Sequence, residues 1–404
     1  MGGTVTLSPG EEAALVAGVD RDPDRLHVVA SSPPPGARPR FPGATGALSR
    51  HWVLDGTGEL GRRLLTSGLV DSAVLALRPA PPPGDIPPVT PLFEQLWWWN
   101  FPDGLGFDEA LEYPGGDGAN VTLVDIEYAW GREHEDLAVG EALAGEPEDV
   151  YAFHGSGVLG VTSGVANDYG VTGGAAGATA LVVHPDFDVD GALEYDLARA
   201  IYEAASVLSA GDVILVEQQV YGPGEEFLPA TWDEGARAAI AEATAAGVAV
   251  VVPSANGAVD LDHPAYEGAF DIDTGAILVG GGFPPTYGEP RAWAGSDYGE
   301  GVHVQAWFTD IVSAGGSPYT DLYFPGGDER QAYTAVFGGT SGAGALVAAM
   351  CAVAQSVSIA TRGAPLSPLE LRAALVATGS PQSGSVPIGP QPDLRRLLRS
   401  FAVP

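Results

Sequence analysis

Four polar residues of this 404-residue chain stand at the ends of apolar or glycine-rich runs. Asp125 ends NVTLVD, His154 lies in YAFHGSG, Asn256 follows VVVPSA, and Ser341 follows FGGT. A serine that attacks a carbonyl carbon needs a neutral base for its proton, an acid that orients the base, and fixed donors for the oxyanion. These residue types supply one group for each requirement, so the sequence predicts acyl transfer through a covalent intermediate on Ser341.

Each of the four residues, taken alone, has a simpler structural explanation. An acid at a strand end often caps a turn, a lone histidine is commonly a buried hydrogen-bonding group, and Asn-Gly is a turn signal. Ser341 alone would be interpreted as the N-cap of the helix predicted after it, although the positive end of a helix dipole also suits a nucleophile. The catalytic interpretation therefore depends on the four segments occurring together, in this order.

The elements that must position these residues alternate between short β-branched runs and longer Ala-rich stretches. Buried strands are predicted at 120–125, 180–183, 212–216, 248–252 and 276–280, and helices at 193–208, 233–246 and 344–360. This alternation favours an α/β fold with a mostly parallel sheet covered on both faces. Sites in such sheets form at the carboxyl ends of strands, which is where Asp125 and Asn256 are predicted to lie.

A proline-rich spacer, APPPGDIPPVTP at 80–91, interrupts the chain and should be extended and semi-rigid. We place the domain boundary there, with residues 1–88 as a small N-terminal α+β domain plus linker and residues 89–404 as the large domain. In the small domain, strands are predicted at 26–30, 52–54 and 73–77, and a short helix at 58–65.

The composition limits the function classes. Residues 1–88 carry 8 Arg and 9 acids, whereas residues 89–404 carry 10 Arg and 43 acids. Because so acidic a chain repels phosphate, we expect no nucleic-acid partner and no anionic membrane partner. The single cysteine, Cys351, excludes intrachain disulfides and thiolate metal clusters. No G-x-G-x-x-G follows the first strand of the large domain, so a dinucleotide-binding fold is not favoured.

The segments VDIE, HGSGVLG, PSANG and GGTSG together resemble the catalytic segments of the subtilisin-like (S8) serine peptidases. The resemblance covers about residues 91–380 and implies a three-layer αβα domain. It also implies that Asp125 orients His154, that His154 takes the proton of Ser341, and that Asn256 completes the oxyanion hole. The expected activity is that of a serine endopeptidase acting on peptide or protein substrates, with no cofactor needed for the chemistry.

The chain departs from the family pattern around each catalytic segment. Ile126 and Glu127 stand where the family has a small residue and glycine, and Gly157 stands where a second histidine is usual. Ala255 replaces the glycine before the oxyanion asparagine, and Ala345 replaces a proline after the serine. None of these changes removes a catalytic group, so they bear on catalytic efficiency more than on identity.

Two further sets of residues follow from the resemblance. HEDL at 134–137 and the loop VANDYGVTG resemble a structural calcium site, whose ligands would be Asp136, Asn167 and the carbonyls of Val165, Tyr169 and Val171; an ordinary hydrogen-bonded loop is the alternative. Glu217, Gln218 and Gln219 correspond to one wall of the pocket for the residue before the scissile bond. We expect a carboxylate there to favour Arg or Lys, unless Glu217 points away from the pocket.

The small N-terminal domain resembles a subtilase propeptide, which implies that it acts as an intramolecular inhibitor. Two other functions stay open for the large domain: an acyl transferase that ligates or cyclises peptides with the same four residues, and a binding module that has lost catalysis. No signal peptide is recognisable, so we expect a cytoplasmic protein, or an extracellular one if a signal was removed.

Overall fold

The computed structural model describes residues 21–39, 49–55, 57–77, 85–97, 100 and 104–402. The chain divides into two compact units, residues 1–82 and 83–404. The division lies within the spacer, so residues 83–88, which we expected with the small domain, group with the large unit. Residues 80–84 of the spacer lie outside the described residues.

The N-terminal unit contains an antiparallel sheet and a helix, as its sequence predicts. The described strands have the spatial order β2-β3-β1-β4. Their bounds are β1 (Arg21–Val29), β2 (Arg38–Pro39), β3 (His51–Asp55) and β4 (Ser72–Leu77), and helix α1 (Gly58–Thr66) precedes β4. Leu26, Val28, Leu54 and Leu64 form its core.

A parallel sheet is the centre of the large unit, which confirms the predicted fold class. Its strands have the order β14-β13-β12-β9-β5-β6, and every neighbouring pair is parallel. Their bounds are β5 (Thr122–Ile126), β6 (Thr179–Val183), β9 (Val213–Val216), β12 (Ala249–Pro253), β13 (Ile277–Gly282) and β14 (Val304–Trp307). The connections from β5 and β9 leave in opposite directions, so a crevice is expected beyond the carboxyl ends of these two strands.

Helices cover both faces of this sheet. One face packs against α3 (Ala152–Ser163) and α6 (Gly339–Arg362), and the other against α4 (Leu197–Ser206) and α5 (Glu234–Ala245). Successive strand residues alternate between the two cores: Leu123 faces α6, whereas Val124 and Ile126 face α4. Asp125 and Glu127 therefore share the face on which α3 and α6 lie.

Short elements complete the large unit. They are α2 (Phe107–Ala110), the hairpin of β7 (Asp186–Val189) and β8 (Ala192–Tyr195), the hairpin of β10 (Gln219–Tyr221) and β11 (Phe227–Pro229), the antiparallel pair β15 (Ile311–Ala314) and β16 (Tyr333–Phe337), and the helices α7 (Pro368–Thr378) and α8 (Leu394–Arg399).

The predicted helix at 193–208 is too long at its N-terminus. Residues 193–195 belong to β8, because Asp190 and Gly191 both have positive φ, 54° and 85°, and make the tight turn of the β7–β8 hairpin. The helix itself begins after Asp196, whose side chain accepts a hydrogen bond from the Arg199 backbone N–H and caps it.

Helix α6 is the longest apolar element. Among the described residues it alone is long and apolar enough to cross a membrane, but 89% of its apolar window is buried inside the protein. It packs beneath the parallel sheet as a core helix, and Cys351 is buried within it. Burial in the protein core therefore accounts for the apolar composition of α6.

Candidate active site

The structure pairs His154 with Glu127. His154 lies in the first turn of α3, and its Nδ1 is 2.6 Å from Oε2 of Glu127. Glu127 follows β5 directly and is fully buried, whereas the imidazole is 27% exposed on the cavity side. Burial lowers the pKa of His154, but the charge and hydrogen bond of Glu127 outweigh this effect and raise the pKa above its ordinary value. The pair therefore has the geometry of a base and its orienting acid.

Asp125, which we expected to orient His154, makes no hydrogen bond with it. The carboxyl group is fully buried within β5, and neither oxygen has a hydrogen-bond partner among the described residues. Burial, followed by the charge of Glu127, raises the pKa of Asp125 well above its usual range, so a protonated side chain is favoured. The correction has a simple cause: a residue two positions later on a strand points to the same face but lies nearer the sheet edge.

Three neighbours fix Glu127. A Cβ on Gly155 would lie 2.1 Å from the Ala129 carbonyl oxygen and 2.6 Å from Glu127 Cγ, so only glycine lets α3 approach this carboxylate. Nδ1 of buried His184 donates to the Glu127 carbonyl oxygen at 2.8 Å, and the Tyr128 N–H donates to Oε1 at 2.8 Å. Sequence analysis did not identify Glu127 or His184 as site residues; the unexpected glutamate in VDIE was the available signal for Glu127.

Ser341 is the third residue of α6. The first N–H groups of a helix have no partner within it, so this position offers backbone donors and the positive end of the dipole. Gly339 begins the turn with φ 70°, and its N–H donates to the Phe308 carbonyl oxygen at 2.7 Å. Within the described ranges, no hydrogen bond joins Ser341 to His154, although both line one cavity; such contacts are often loose without substrate.

Asn256 lies beside the start of α6. Its Oδ1 accepts from the backbone N–H of Thr340 at 2.9 Å and from the Thr340 hydroxyl at 3.1 Å, which leaves Nδ2 as the outward donor. Nδ2 donates to Oε1 of Gln219 at 3.1 Å. A substrate oxyanion would have to replace this acceptor. Ala255, where the family has glycine, has φ 78° and is held in the left-handed region.

These side chains surround a cavity of about 610 Å³ beyond the carboxyl ends of β5 and β9. Aromatic side chains supply much of its wall. The lining includes Glu127, Tyr128, Tyr151, Phe153, His154, Glu217, Gln218, Gln219, Tyr221, Phe227, Asn256, Trp293, Tyr319, Thr340 and Ser341. Its size and its mixture of apolar walls with a few polar groups are typical of a binding cleft.

The predicted pocket residues do lie at this cavity. Glu217, which follows β9 with its backbone N–H bonded to the Ile126 carbonyl oxygen, is 6% exposed. Neither carboxyl oxygen has a hydrogen-bond partner among the described residues, so the expected alternative of a backbone-bonded side chain is not what the structure has. Burial and the neighbouring charges of Asp125 and Glu127 raise the pKa of Glu217 well above its usual range.

The predicted calcium ligands form a hydrogen-bonded loop. Asp136 accepts from Asn167 Nδ2 at 2.7 Å, from the Val171 N–H at 2.6 Å and from the Tyr333 hydroxyl at 2.9 Å. Asn167 Oδ1 is also used, by the Tyr169 N–H. Donors therefore occupy the side-chain oxygens of Asp136 and Asn167, so these two groups are not free to bind an ion in this arrangement, and the calcium site stays a prediction. Val165, whose carbonyl oxygen is the expected ligand atom, donates its N–H to the Asp136 carbonyl oxygen.

The comparisons with known proteins agree with this fold. The model of the subtilase family, Peptidase_S8, matches residues 98–391. Among solved structures, a protease from Pseudoalteromonas arctica PAMC 21717 is 19% identical with a TM-score of 0.56, covering 76% of this chain and 98% of that chain. The prenylagaramide maturation protease PagA is 19% identical with a TM-score of 0.53, covering 74% and 98%.

A third structure, fervidolysin from Fervidobacterium pennivorans, is described as a keratinolytic enzyme related to subtilisin. It is 15% identical with a TM-score of 0.56, covering 94% of this chain and 61% of that chain. At these identities the likeness is one of fold. No curated protein sequence matches the chain significantly.

Proposed function

This chain belongs to the subtilase family of peptidases, and from that premise we propose that it is a serine endopeptidase with Ser341 as nucleophile and His154 as general base. The observation that carries the proposal is the buried 2.6 Å contact between His154 and Glu127, at the cavity that Ser341 also lines. A buried carboxylate on Nδ1 fixes the imidazole tautomer and leaves Nε2 as the proton acceptor.

In the proposed reaction, Ser341 Oγ attacks the carbonyl carbon of the scissile bond and its proton passes to Nε2 of His154. Glu127 holds Nδ1–H and stabilises the imidazolium. The developing oxyanion accepts hydrogen bonds from the Ser341 N–H and from Asn256 Nδ2, in place of Gln219 Oε1. His154 then gives the proton to the leaving amine, and water repeats the sequence on the acyl-enzyme to release the acid.

A serine-directed fluorophosphonate tests this assignment. We expect one labelled residue, Ser341, and loss of labelling and of peptide hydrolysis in Ser341→Ala and His154→Ala. Ser206→Ala, at an exposed helix position far from the cavity, is the matched control and should label normally. Labelling of a different serine, or turnover in Ser341→Ala, would disprove the assignment.

Transfer of the acyl group to an amine uses the same residues, so peptide ligation is the second candidate for the same site. Product analysis by mass spectrometry separates the two outcomes, because hydrolysis adds one water to each cleaved peptide and ligation adds none. A peptide library incubated with the protein should give products that carry the added water if the endopeptidase proposal is correct.

The inhibitory role of the N-terminal unit remains a proposal drawn from the resemblance. If residues 1–82 cover the site, activity of the full chain should rise as the spacer is cut. Intact mass and peptidase activity, followed together over time, test this. Constant activity during complete cleavage of the spacer would rule the role out.

A further inference from the structure

Three carboxyl groups meet under the nucleophile. Asp125 and Glu127 come from β5, and Glu217 comes from the adjacent end of β9, where its N–H bonds the Ile126 carbonyl oxygen. All three are at least nine-tenths buried. Among the described residues, Glu127 has His154 as its partner, whereas both oxygens of Asp125 and both oxygens of Glu217 have none.

Glu217 lies against the face of α6 that carries Ser341. A Cβ on Gly344 would stand 3.1 Å from Glu217 Oε1, and residues 341 and 344 share one helix face. The Ser341 hydroxyl lies close enough to lower the pKa of Glu217, although no hydrogen bond of normal geometry joins the two groups. The same glycine therefore makes room for a carboxyl group under the nucleophile.

We propose that Glu217 is a positioning residue for Ser341: its carboxylic acid group donates a hydrogen bond to Ser341 Oγ and leaves the serine O–H directed at His154. This inference rests on the proposed nucleophile and base. A hydroxyl group that accepts a hydrogen bond from one side and donates one to the other has a single orientation. Glu217 would therefore fix the rotation of the Ser341 hydroxyl group.

The protonation state of Glu217 follows from its surroundings. Asp125 and Glu127 face it from β5, Ser341 faces it from α6, and Pro253 of β12 is apolar, so no cation faces it from the described elements packed around it. Burial and the two acids raise the pKa of Glu217 well above its usual range, which favours the protonated form that donates a hydrogen bond. Once ionised, the carboxylate would accept the serine proton in competition with His154 and oppose the oxyanion.

This assignment changes the expected specificity. A neutral carboxylic acid gives no charge attraction to an Arg or Lys side chain in the pocket, so the cation preference expected from the sequence would be weak. Glu217→Gln separates the role of hydrogen-bond donor to Ser341 from the role of anion in the pocket, because the amide is permanently neutral and still donates. Glu217→Leu keeps the approximate side-chain volume and donates no hydrogen bond.

The experiment measures the fluorophosphonate labelling rate of Ser341 and peptide kcat and KM across pH 5–10. We expect the wild-type rate to fall at high pH, Glu217→Gln to keep its rate there, and Glu217→Leu to lose about tenfold or more in kcat and labelling with little change in KM. Glu242→Gln, an exposed acid on α5, is the control and should follow the wild type.

The outcomes are distinct. Failure of Ser341 to label at any pH in the wild type would overturn the proposed nucleophile itself. Normal labelling with identical pH profiles in wild type, Glu217→Gln and Glu217→Leu would overturn only the role of Glu217. A loss of Arg and Lys cleavage in Glu217→Gln, with kcat on neutral residues retained in Glu217→Leu, would make Glu217 an anionic pocket residue instead.

Discussion

Nδ1 of His154 lies 2.6 Å from Oε2 of Glu127, and the carboxyl group of Asp125, two residues earlier, has no hydrogen-bond partner in the described part of the chain. The longer glutamate side chain at the sheet edge thus takes the position that a family resemblance assigns to the aspartate. Gly155 makes this contact possible, because a Cβ at that position would lie only 2.6 Å from Glu127 Cγ.

Replacement of each acid by its amide tests which of the two orients the histidine. Glu127→Gln should lower kcat by a factor on the order of 10⁴, which is the known cost of the same change at the orienting acid of a serine protease, because the amide favours the wrong tautomer. Asp125→Asn should cost less than about tenfold, since Asp125 makes no hydrogen bond with His154. A greater loss in Asp125→Asn, measured by kcat with folding checked by circular dichroism, would return the role to Asp125.

The acidic limb of the pH profile should report His154. The base works only when neutral, and Glu127 raises its pKa above the ordinary 6.5, so kcat/KM should be lost as pH falls through a value higher than 6.5. In Glu127→Gln the raising charge is gone, and the midpoint of the residual activity should move to lower pH. If the midpoint is the same in wild type and Glu127→Gln, the acidic limb of the pH profile does not report the titration of His154 beside Glu127.

Removal of the oxyanion donor should act on kcat. Asn256→Ala should lower kcat by a factor on the order of 10²–10³ with little change in KM, the established size of this effect in a subtilisin. Gln219→Ala is the paired variant: it removes the acceptor that Asn256 Nδ2 uses in the free protein, so kcat should hold level or rise. Steady-state kinetics that show no loss in Asn256→Ala would place the donors elsewhere.

Chelation should leave the melting temperature unchanged. Asp136 is supplied with donors by Asn167, Val171 and Tyr333, so the loop does not need an ion in this arrangement. Tyr333→Phe should destabilise by about 1–3 kcal/mol, because the hydroxyl also donates to buried Glu135. A melting temperature that drops with chelator and recovers with added calcium would instead support the calcium site.

The spacer should stay attached to the large unit through Gln331. Its Nε2 donates to the carbonyl oxygens of Ile86 and Pro88 at 2.6 and 2.8 Å, and to the Thr90 hydroxyl at 2.8 Å. Gln331→Leu should cost about 1–3 kcal/mol and speed cleavage after residue 85 by an added protease. Equal cleavage rates in wild type and variant would show that other contacts hold the segment.

The sequence by itself determined the parallel α/β fold, the strands that carry the site and the segments that meet there. The hydrophobic patterns that predict strands and helices are local properties of the sequence, and the order of the four segments is visible without coordinates. The approach of Asn256 to Thr340, and of both to Ser341, follows from the same topology, since strand ends and helix starts meet at one edge of the sheet.

Only the tertiary structure decided which acid reaches His154 and what surrounds Glu217. Asp125 and Glu127 are two positions apart and so point to the same face of the sheet. The two-residue period of a strand therefore cannot distinguish them. The gap left by Gly155 beside Glu127 selects between them, and the space left by Gly344 admits Glu217. The calcium loop was undecided for a related reason: whether Asp136 binds an ion or hydrogen-bond donors depends on Tyr333, which is 197 residues away along the chain.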